Sequence, residues 1–562
     1  MLSIGVRQAS QKCLDGLFVR AGPSVSRAAA PFQSYSPSFI RPHRHSIIRC
    51  NSAKASPEKA FRDRIQEVHN ACSEPYPRLA TDSRTVSCLE FRSRYEHLDP
   101  NQTIDTDTVV LHGRIRSYRI AGSKLIFFDI VQNGQKVQVM CNQRILADVT
   151  PEKFREFYRL LRRGDAFSVT GKPHRTGRGE LTVQATELPK LLSPSLHDVP
   201  VDAHEHENSP YPRHVQFLAD PRVADTLKVR SAIIQYIRQF FLDRSFMEVN
   251  TPIIAGEAGG ATARPFHTSA TEFPEKQLSL RIAPELWLKR LVVGGFDKVF
   301  EIGPSFRNEG LDKTHNPEFT TCEFYYAYAN LDELMSMTEN LLSGMAQHIR
   351  QFKENSQSVL KDPEVDFSTP FRRIDFIPAL EEAIGRRLPD LTAPDALEEI
   401  KRLFADLSLP LPEHPSLPRL MDKLCATYLE PQCQNPTFIV NPPECLSPLS
   451  KSFTHPSCNQ RVAARCELFI EGREYVNAYE EENSPFEQRR KFQEQLLYNE
   501  AGEIDESYLR ALEWGLPPTG GWGCGVDRLC MLFTNARRIG DVLPFGTLRA
   551  VTRRVDSDGR ES

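Results

Sequence analysis

The segment from Val299 to Tyr325 reads VFEIGPSFRNEGLDKTHNPEFTTCEFY and indicates how the chain folds. It opens with Val299, Phe300 and Ile302, an apolar run that is typical of a buried strand. It closes with residues 319–325, which are again typical of a strand, and a long polar loop separates the two segments. Strand, loop and returning strand predict a hairpin, and a loop of this length usually carries function.

The loop and its flanks carry side chains that suit a polyphosphate and a nucleobase. Arg307 and His315 can both contact phosphate oxygens, and Phe319 offers a flat apolar face to a base. Glu323 lies within an apolar strand, where a carboxylate is costly unless it has a cationic partner. Taken singly, Arg307 and Glu309 could form a surface ion pair instead, but the whole set favours a nucleotide site.

Several motifs resemble one enzyme family. The segments FRNEG (306–310) and HNPEF (315–319) resemble motif 2 of the class II aminoacyl-tRNA synthetases, in the form used by the lysine-specific branch. The segment GLPPTGGWGCGVDR (515–528) resembles motif 3, and GGATARPF (259–266) and RIAPELWLKRL (281–291) resemble the same family. Because these motifs agree in order and spacing over residues 230–550, the resemblance covers the catalytic half of the chain and more.

The resemblance and the strand pattern together predict an α+β fold. Residues 107–192 contain short β-rich segments around one helical interval, which suits a five-stranded OB barrel. The resemblance implies that this barrel precedes an antiparallel sheet with flanking helices. We expect a helical extension at 56–105, an OB-fold anticodon-binding domain at 106–195, a hinge at 196–220, a catalytic domain at 221–552 with an inserted lobe at 352–440, and a tail at 553–562.

The resemblance also assigns a nucleotide site. Arg307 and Arg528 are the expected catalytic residues, because two guanidinium groups can clamp the α-phosphate and the γ-phosphate of ATP. Glu467 and Glu474 look like the carboxylates that hold Mg²⁺, which binds through one or two acids and the phosphates. The expected ATP-binding residues are Arg307, Glu309, His315, Asn316, Phe319, Glu467, Glu474 and Arg528.

The amino-acid substrate follows from further acids that match the family's pocket. An ε-ammonium taken out of water needs carboxylate partners, whereas aspartate or asparagine would require a cation at the pocket base. The acids therefore favour L-lysine. The expected lysine-binding residues are Gly260, Glu285, Arg307, Glu323, Tyr325, Asn477, Tyr479 and Glu481.

The resemblance implies ATP-dependent joining of L-lysine to tRNA-Lys through a lysyl-adenylate. In the barrel, Arg119, Phe127 and Gln138 are the expected anticodon contacts, although alternation allows only one of Phe127 and Phe128 to face outward and does not decide which. Residues 223–254 resemble motif 1, which builds a homodimer interface in the family; an ordinary core helix and strand fits the pattern too. Two rivals remain, an aspartate- or asparagine-specific relative and a tRNA-binding or signalling protein that has lost ligation.

Composition bounds the remaining possibilities. The net charge is −3, so the chain as a whole has no positive field that would indicate nucleic-acid binding. No apolar run is long enough to span a membrane. Thirteen cysteines without a CxxC pair argue against a cysteine zinc site. Residues 1–55 are rich in Arg and Ser and nearly free of acids, which predicts a transit peptide to the mitochondrial matrix; a plastid address and a disordered basic tail are the alternatives.

Overall fold

The computed structural model describes residues 56–146, 148–200, 211–256, 263–498 and 504–552. These residues belong to two compact units, whose boundary lies between Pro221 and Arg222. The predicted transit segment and the predicted tail lie outside the described residues. No helix within the described ranges is both long enough and apolar enough to cross a membrane.

The amino-terminal unit is a β-barrel with added helices. Its helices are α1 (Pro57–Ala71), α2 (Cys88–Tyr95), α3 (Pro151–Leu160) and α4 (Arg213–Ala219). Its strands are β1 (Val109–Ile120), β2 (Leu125–Gln132), β3 (Gln135–Asn142), β4 (Ala166–Arg175), β5 (Leu181–Ala185) and β6 (Lys190–Ser193). The order β1-β2-β3-β5-β4 closes through pairing of β1 with β4, and β6 adds beside β4. The predicted five-stranded OB barrel is confirmed.

The helices that precede the barrel are held by local caps and one buried ion pair. Ser87 and Glu90 form a reciprocal capping box that starts α2. Arg64 of α1 donates to both carboxylate oxygens of Asp165, at 3.0 and 2.9 Å, and Asp165 is completely buried. Such bidentate pairing fixes geometry, so α1 is anchored on the barrel. The segment expected to be a hinge contains α4.

The second unit is a sheet flanked by helices. Its helices are α5 (Pro221–Leu242), α6 (Glu285–Val293), α7 (Leu331–Asn355), α8 (Phe376–Ile384), α9 (Ala396–Asp406), α10 (Leu417–Tyr428), α11 (Pro485–Tyr498), α12 (Glu506–Leu512), α13 (Val526–Thr534), α14 (Ile539–Val542) and α15 (Leu548–Val551). Its strands are β7 (Met247–Glu248), β8 (Ile254–Ala255), β9 (His267–Ala270), β10 (Phe273–Leu280), β11 (Lys298–Phe306), β12 (Glu318–Ala327), β13 (Arg372–Asp375), β14 (Thr437–Val440), β15 (Ser452–Thr454), β16 (Arg461–Ala463), β17 (Arg465–Ile470), β18 (Arg473–Glu480) and β19 (Thr519–Gly525).

The large sheet has eight strands in the order β13-β14-β17-β18-β19-β12-β11-β7. Its interior pairs are antiparallel, as predicted, but β13 with β14 and β11 with β7 pair in parallel at the two edges. The sheet is therefore mixed rather than purely antiparallel. The strand expected over residues 246–254 forms only as the short strands β7 and β8, and Pro252 between them cannot donate a ladder hydrogen bond.

One face of the large sheet is covered by an apolar core. Residues from α5, α7 and α13 pack there with alternate residues of the strands, including Phe324 and Trp522, whose rings stack at 5.1 Å. Helices α8, α9 and α10 form a second core against Ile439 and Phe469 of β14 and β17. The segment predicted as an inserted lobe thus contributes β13 and β14 to the sheet as well as its own helices. On the opposite face, Tyr325 and Tyr479 of the central strands pack against residues of α6 and α12.

Candidate active site

The predicted hairpin consists of β11 and β12, paired from Lys298–Tyr326 to Phe306–Glu318. The backbone N–H of Arg307 donates to the carbonyl of Pro317 at 2.8 Å, which closes the base of the loop. Arg307 is only 3% exposed, and its guanidinium lies 5.2 Å from the centre of the Phe319 ring. The loop therefore presents a buried cation beside an aromatic face, which suits a phosphate next to a base.

A pocket opens at this loop and at the start of α13. Six of the eight predicted ATP residues line it, and Thr320, Tyr475, Gly525 and Asp527 also contribute. The six are Arg307, Glu309, His315, Asn316, Phe319 and Arg528. Neither Glu467 nor Glu474 is among the lining residues. The structure thus brings the motif 2 and motif 3 residues to one cavity, and Glu474 contacts Arg528 at its wall.

His315 is held between an acid and a cation. Its Nδ1 lies 2.7 Å from Asp312 Oδ2, and its Nε2 lies 3.3 Å from Nη2 of Arg528. Asp312 also accepts from the backbone N–H of His315 at 2.8 Å. Burial and the nearby Arg528 lower the pKa of His315, so the neutral ring, protonated on Nδ1, can accept from Arg528. Sequence reasoning did not single out Asp312, although it lies only three residues from His315.

Arg528 connects the pocket to one predicted metal acid. Its Nη1 donates to the carbonyl of Glu474 at 2.7 Å and lies 3.8 Å from Glu474 Oε2. Glu467 is held separately, because Nη2 of Arg465 contacts its Oε1 at 2.5 Å. In the described part of the chain no group of three or more His, Cys, Asp or Glu side chains could hold a metal ion. A site of two acids fits Mg²⁺, which takes its remaining ligands from phosphates and water.

The sheet face that packs against α6 and α12 is arranged in rows across β12, β19, β18 and β17. One row runs from Glu323 through Gly523 and Asn477 to Glu467, and the next runs from Tyr325 through Gly521 and Tyr479 to Arg465. Glycines on the central strand leave the backbone open to close approach by a ligand.

The predicted lysine residues meet at this face. Glu285, Glu323 and Glu481 are 0%, 1% and 1% exposed. The Tyr479 hydroxyl donates to Glu285 Oε1 at 2.7 Å, and the Tyr325 hydroxyl donates to Glu323 Oε2 at 3.4 Å. Asn477 differs, because its Oδ1 accepts from Nε of Arg465 at 2.9 Å. Gly260 lies outside the described residues.

A lysine of the chain itself lies among these acids, which the sequence analysis missed. Lys289 is completely buried, and its Nζ lies 2.7 Å from Glu285 Oε1 and 2.5 Å from Glu481 Oε2. The spacing of Glu285 and Lys289 by four residues on one helix could have revealed the first contact. The contact with Glu481 comes from a distant strand and had no local signal.

Burial and nearby charges act on these acids in opposite directions. Burial raises the pKa of Glu323 to about 7, with Arg307 opposing this and Glu285 adding to it. Burial also raises the pKa of Glu481, despite attraction to Lys289. For Glu285, burial raises the pKa, but the ion pair with Lys289 outweighs that effect and the pKa falls to about 2. Burial therefore opposes ionisation of all three acids, and at Glu285 nearby cations outweigh it.

A buried ion pair joins the hairpin to α13. Asp527 receives a guanidinium N–H from Arg230 of α5 and the backbone N–H of Thr320 at 2.8 Å. Arg230 also donates to the Thr320 hydroxyl at 2.9 Å. This network fixes the start of β12 against the motif 3 segment, and sequence reasoning did not identify it.

In the amino-terminal unit, the structure decides between the two phenylalanines. Phe128 is 1% exposed and belongs to the barrel core, whereas Phe127 is half-buried on the outer face. The guanidinium of Arg119 lies 4.5 Å from the centre of the Phe127 ring. Gln138 lies on the neighbouring strand β3, where its Oε1 accepts from the Thr182 hydroxyl at 3.2 Å. The three predicted anticodon residues thus belong to the same three-stranded part of the barrel.

Comparisons with known proteins agree with this organisation. A model of class II tRNA synthetases (D, K and N) matches residues 206–549, and a model of the OB-fold nucleic acid binding domain matches residues 109–191. The chain is similar to the mitochondrial lysine–tRNA ligase of Schizosaccharomyces pombe, with 41% identity over 85% of this chain and 91% of the relative.

Of two further relatives, one is named as cytoplasmic and the other has no compartment in its name. The probable cytoplasmic lysine–tRNA ligase of Encephalitozoon cuniculi is 40% identical over 80% of this chain and 89% of the relative. The lysine–tRNA ligase of Campylobacter hominis is 36% identical over 88% of this chain and 98% of the relative.

Proposed function

The chain belongs to the lysine–tRNA ligases among the class II tRNA synthetases, and we propose that it works through a lysyl-adenylate in organellar protein synthesis. In the first step the lysine carboxylate attacks the α-phosphate of ATP, forming the acyl–phosphate bond while pyrophosphate leaves. In the second step a terminal ribose hydroxyl of tRNA-Lys takes the acyl group and AMP leaves. Because the attacking group is already a carboxylate, the first step needs no general base.

Lysine is favoured as the substrate because three buried acids lie at the predicted amino-acid site. Glu285, Glu323 and Glu481 are buried with one lysine of the chain, so an added ammonium group finds carboxylate acceptors. A substrate with a side-chain carboxylate would place a further negative charge among these three acids, which disfavours aspartate. A site built for a charged group rejects a substrate that lacks it, because its own charges are then left without a partner.

For the nucleotide, we assign the α-phosphate to Arg307, which is buried and oriented beside Phe319. The adenine would lie between Phe319 and Arg528, with Glu309 and Asn316 as polar contacts at the pocket wall. His315 would face the terminal phosphates with Arg528. These groups accelerate the reaction by positioning the substrates and neutralising phosphate charge, since the protein takes little part in the covalent chemistry.

Mg²⁺ is proposed at Glu467 and Glu474, whose donor set suits a hard cation that also binds phosphates. When bound, the ion would neutralise phosphate charge as pyrophosphate leaves. Arg465 holds the carboxylate of Glu467, and Arg528 approaches that of Glu474, so each acid has a cation that keeps it oriented.

The adenylation site is tested by Arg307→Ala. We expect ATP–pyrophosphate exchange with lysine to fall by at least about 10³-fold, or about 4 kcal/mol, which is the scale for loss of a charge-stabilising donor. Affinity for tRNA should stay within twofold, since Arg307 belongs to the second unit and the predicted anticodon contacts belong to the first. The matched control is Arg350→Ala, because Arg350 is 64% exposed in its ion pair on the same unit. Exchange within tenfold of the unaltered protein would contradict the assignment.

Anticodon recognition is proposed for the outer barrel face around Phe127. A half-buried ring already covered by Arg119 offers a platform on which a base can stack. Gln138 supplies amide groups for the base edge.

A homodimer is proposed through the region that resembles motif 1. This proposal is supported by apolar side chains of the unit that are exposed to solvent in and near β7 and β8. Met247, Ile253 and Ile254 are 40%, 40% and 53% exposed. Light scattering should give twice the chain mass, and Ile254→Asp should shift the protein toward monomer. A monomeric mass at micromolar concentration would contradict this proposal.

Mitochondrial import is proposed from residues 1–55, which are Arg-rich and acid-poor and lie outside the described residues. The similarity to mitochondrially named ligases supports it, while a similar cytoplasmic ligase shows that the family alone fixes no address. Fused to a fluorescent protein, residues 1–55 should direct it to mitochondria. A diffuse cytosolic signal would contradict the proposal.

A further inference from the structure

Helix α11 presents buried polar side chains on a face that is usually apolar in a helix packed against the protein interior. Its Lys491 is 3% exposed, and its Gln488, one turn earlier, is completely buried. Gln488 Nε2 donates to the carbonyl of Pro448 at 2.9 Å, and Lys491 Nζ donates to the carbonyl of Ser450 at 2.5 Å. Because a buried ammonium costs more than an apolar side chain of the same size, these contacts indicate a role besides packing.

Lys491 also binds the segment that follows β18. Its Nζ lies 2.8 Å from Oε2 of Glu482, which is 4% exposed. The other carboxylate oxygen of Glu482 accepts from the backbone N–H of Ser484 at 3.1 Å. A second acid, Glu444, lies 4.0 Å from the ammonium. The same ammonium thus joins the side chain of Glu482 to the carbonyl of Ser450.

Glu481, one of the acids of the proposed lysine site, lies within the segments that Lys491 joins. Its backbone forms a β-bridge with Ser450. The next residue, Glu482, donates its N–H to the carbonyl of Leu449 at 2.9 Å. The backbone after β18 is therefore paired with the segment that contains Leu449 and Ser450, and Lys491 holds the same two segments together from the side of α11.

We propose that Lys491 is a positioning residue for lysine recognition, which fixes the backbone of Glu481 through its neighbour Glu482. The proposal rests on the proposed function, because it takes Glu481 to be part of the lysine site. The two neighbouring carboxylates have different partners, since Glu482 contacts Lys491 and Glu481 contacts Lys289. A movement of the backbone that the two acids share therefore moves the carboxylate of Glu481.

Removal of the Lys491 ammonium takes one cation from a buried carboxylate and one donor from a buried carbonyl. A buried carboxylate that loses its cation is strongly disfavoured, so the side chain of Glu482 moves toward other partners and takes its backbone with it. Displacement of a binding group by about 1 Å costs on the order of 10²-fold. The effect should fall on lysine and spare ATP, because neither Glu481 nor Glu482 lines the nucleotide pocket.

The experiment is ATP–pyrophosphate exchange by full-length Lys491→Met, in which each substrate is varied at saturation of the other. We expect the KM for lysine to rise at least tenfold and the KM for ATP to stay within twofold. The preference for lysine over ornithine, which is one methylene shorter, should fall at least fivefold, because it depends on where the Glu481 carboxylate lies. A role in stability alone would lower the folded fraction and leave both KM values and this preference unchanged.

The double variant Lys491→Met/Glu482→Leu separates positioning from stability. It removes the unpaired carboxylate as well, so its melting temperature should recover toward that of the unaltered protein. Its KM for lysine should stay raised at least fivefold, because the contacts of the ammonium with the two segments are lost. The double variant also provides the test if Lys491→Met does not fold.

The matched control is Lys353→Met, which removes another buried lysine, 5% exposed and paired with Asp362 at 3.0 Å. It should lower the melting temperature without changing the KM for lysine. An unchanged KM for lysine in folded Lys491→Met or in the double variant overturns the inference and leaves the proposed function intact. An equal rise in the KM for lysine and the KM for ATP overturns it too. Absence of lysine-dependent exchange by the folded, unaltered protein overturns the proposed function itself.

Discussion

Glu323 should make lysine activation depend on pH near neutrality. The carboxyl lies 1% exposed on β12, and burial raises its pKa to about 7 against the attraction of Arg307. If lysine binds the ionised form, about 90% of the free protein is competent at pH 8 and about 10% at pH 6. The apparent KM for lysine should therefore be about tenfold higher at pH 6 than at pH 8.

The same shift has an effect of opposite direction on stability. Because the folded protein holds this proton more tightly than the unfolded chain, the contribution to stability is complete below about pH 4.5 and is lost as pH rises through about 7. A shift from 4.5 to about 7 corresponds to about 3 kcal/mol. Lysine offsets the buried charge, so it should raise the melting temperature more at pH 8 than at pH 6.

The assay is ATP–pyrophosphate exchange from pH 6 to 8 with saturating ATP. Glu323→Gln should raise the KM for lysine by about 10²-fold at pH 8, since a hydrogen bond to a charged group contributes about 2–3 kcal/mol. Its KM should no longer rise at low pH. Glu318→Gln, an exposed change on the same strand, should keep the profile of the unaltered protein. A flat profile for the unaltered protein, or a tenfold rise retained in Glu323→Gln, would refute the assignment of this titration to Glu323.

Four further substitutions test the barrel face, the ion pair of Asp527 and the nucleotide pocket. Phe127→Ala should weaken tRNA-Lys binding by about 1–3 kcal/mol in a filter assay. Phe128→Ala should instead lower the free energy of unfolding by about 3–5 kcal/mol. Equal effects of the two substitutions on tRNA affinity would contradict the placement of Phe127 on the outer face and Phe128 in the core. Asp527→Asn should lower the free energy of unfolding by about 3–5 kcal/mol in urea, because its arginine partner stays buried; a loss below 1 kcal/mol would count against the network. Asp312→Asn should raise the KM for ATP about tenfold and leave the KM for lysine unchanged, and an equal rise in both would contradict a role confined to the nucleotide pocket.

The local parts of the fold and site were predictable from sequence. Apolar runs on both sides of a polar loop predicted the hairpin of β11 and β12, and its motif residues meet in one pocket. The barrel followed from short strands around one helix. These features depend on residues that are close in the sequence, so the pattern of apolar and polar residues is enough to predict them.

Contacts between distant segments could not be predicted in this way. Lys289 meets Glu481 only because β18 and α6 approach in the folded unit, and Arg230 meets Asp527 across an even longer separation. The choice between Phe127 and Phe128 depended on register across β1, where a bulge between Ile115 and Ser117 shifts the pairing. Pattern alone gives the two faces of a strand but not which face is buried.

We propose that the buried acids Glu285, Glu323 and Glu481 select lysine for adenylation. This is tested by ATP–pyrophosphate exchange with each of the twenty amino acids, using protein that lacks residues 1–55. We expect exchange with lysine alone. Exchange with aspartate or asparagine in place of lysine would agree with the fold but contradict the assignment of the amino-acid site. No exchange with any of the twenty, from folded protein, would favour a tRNA-binding protein without ligase activity.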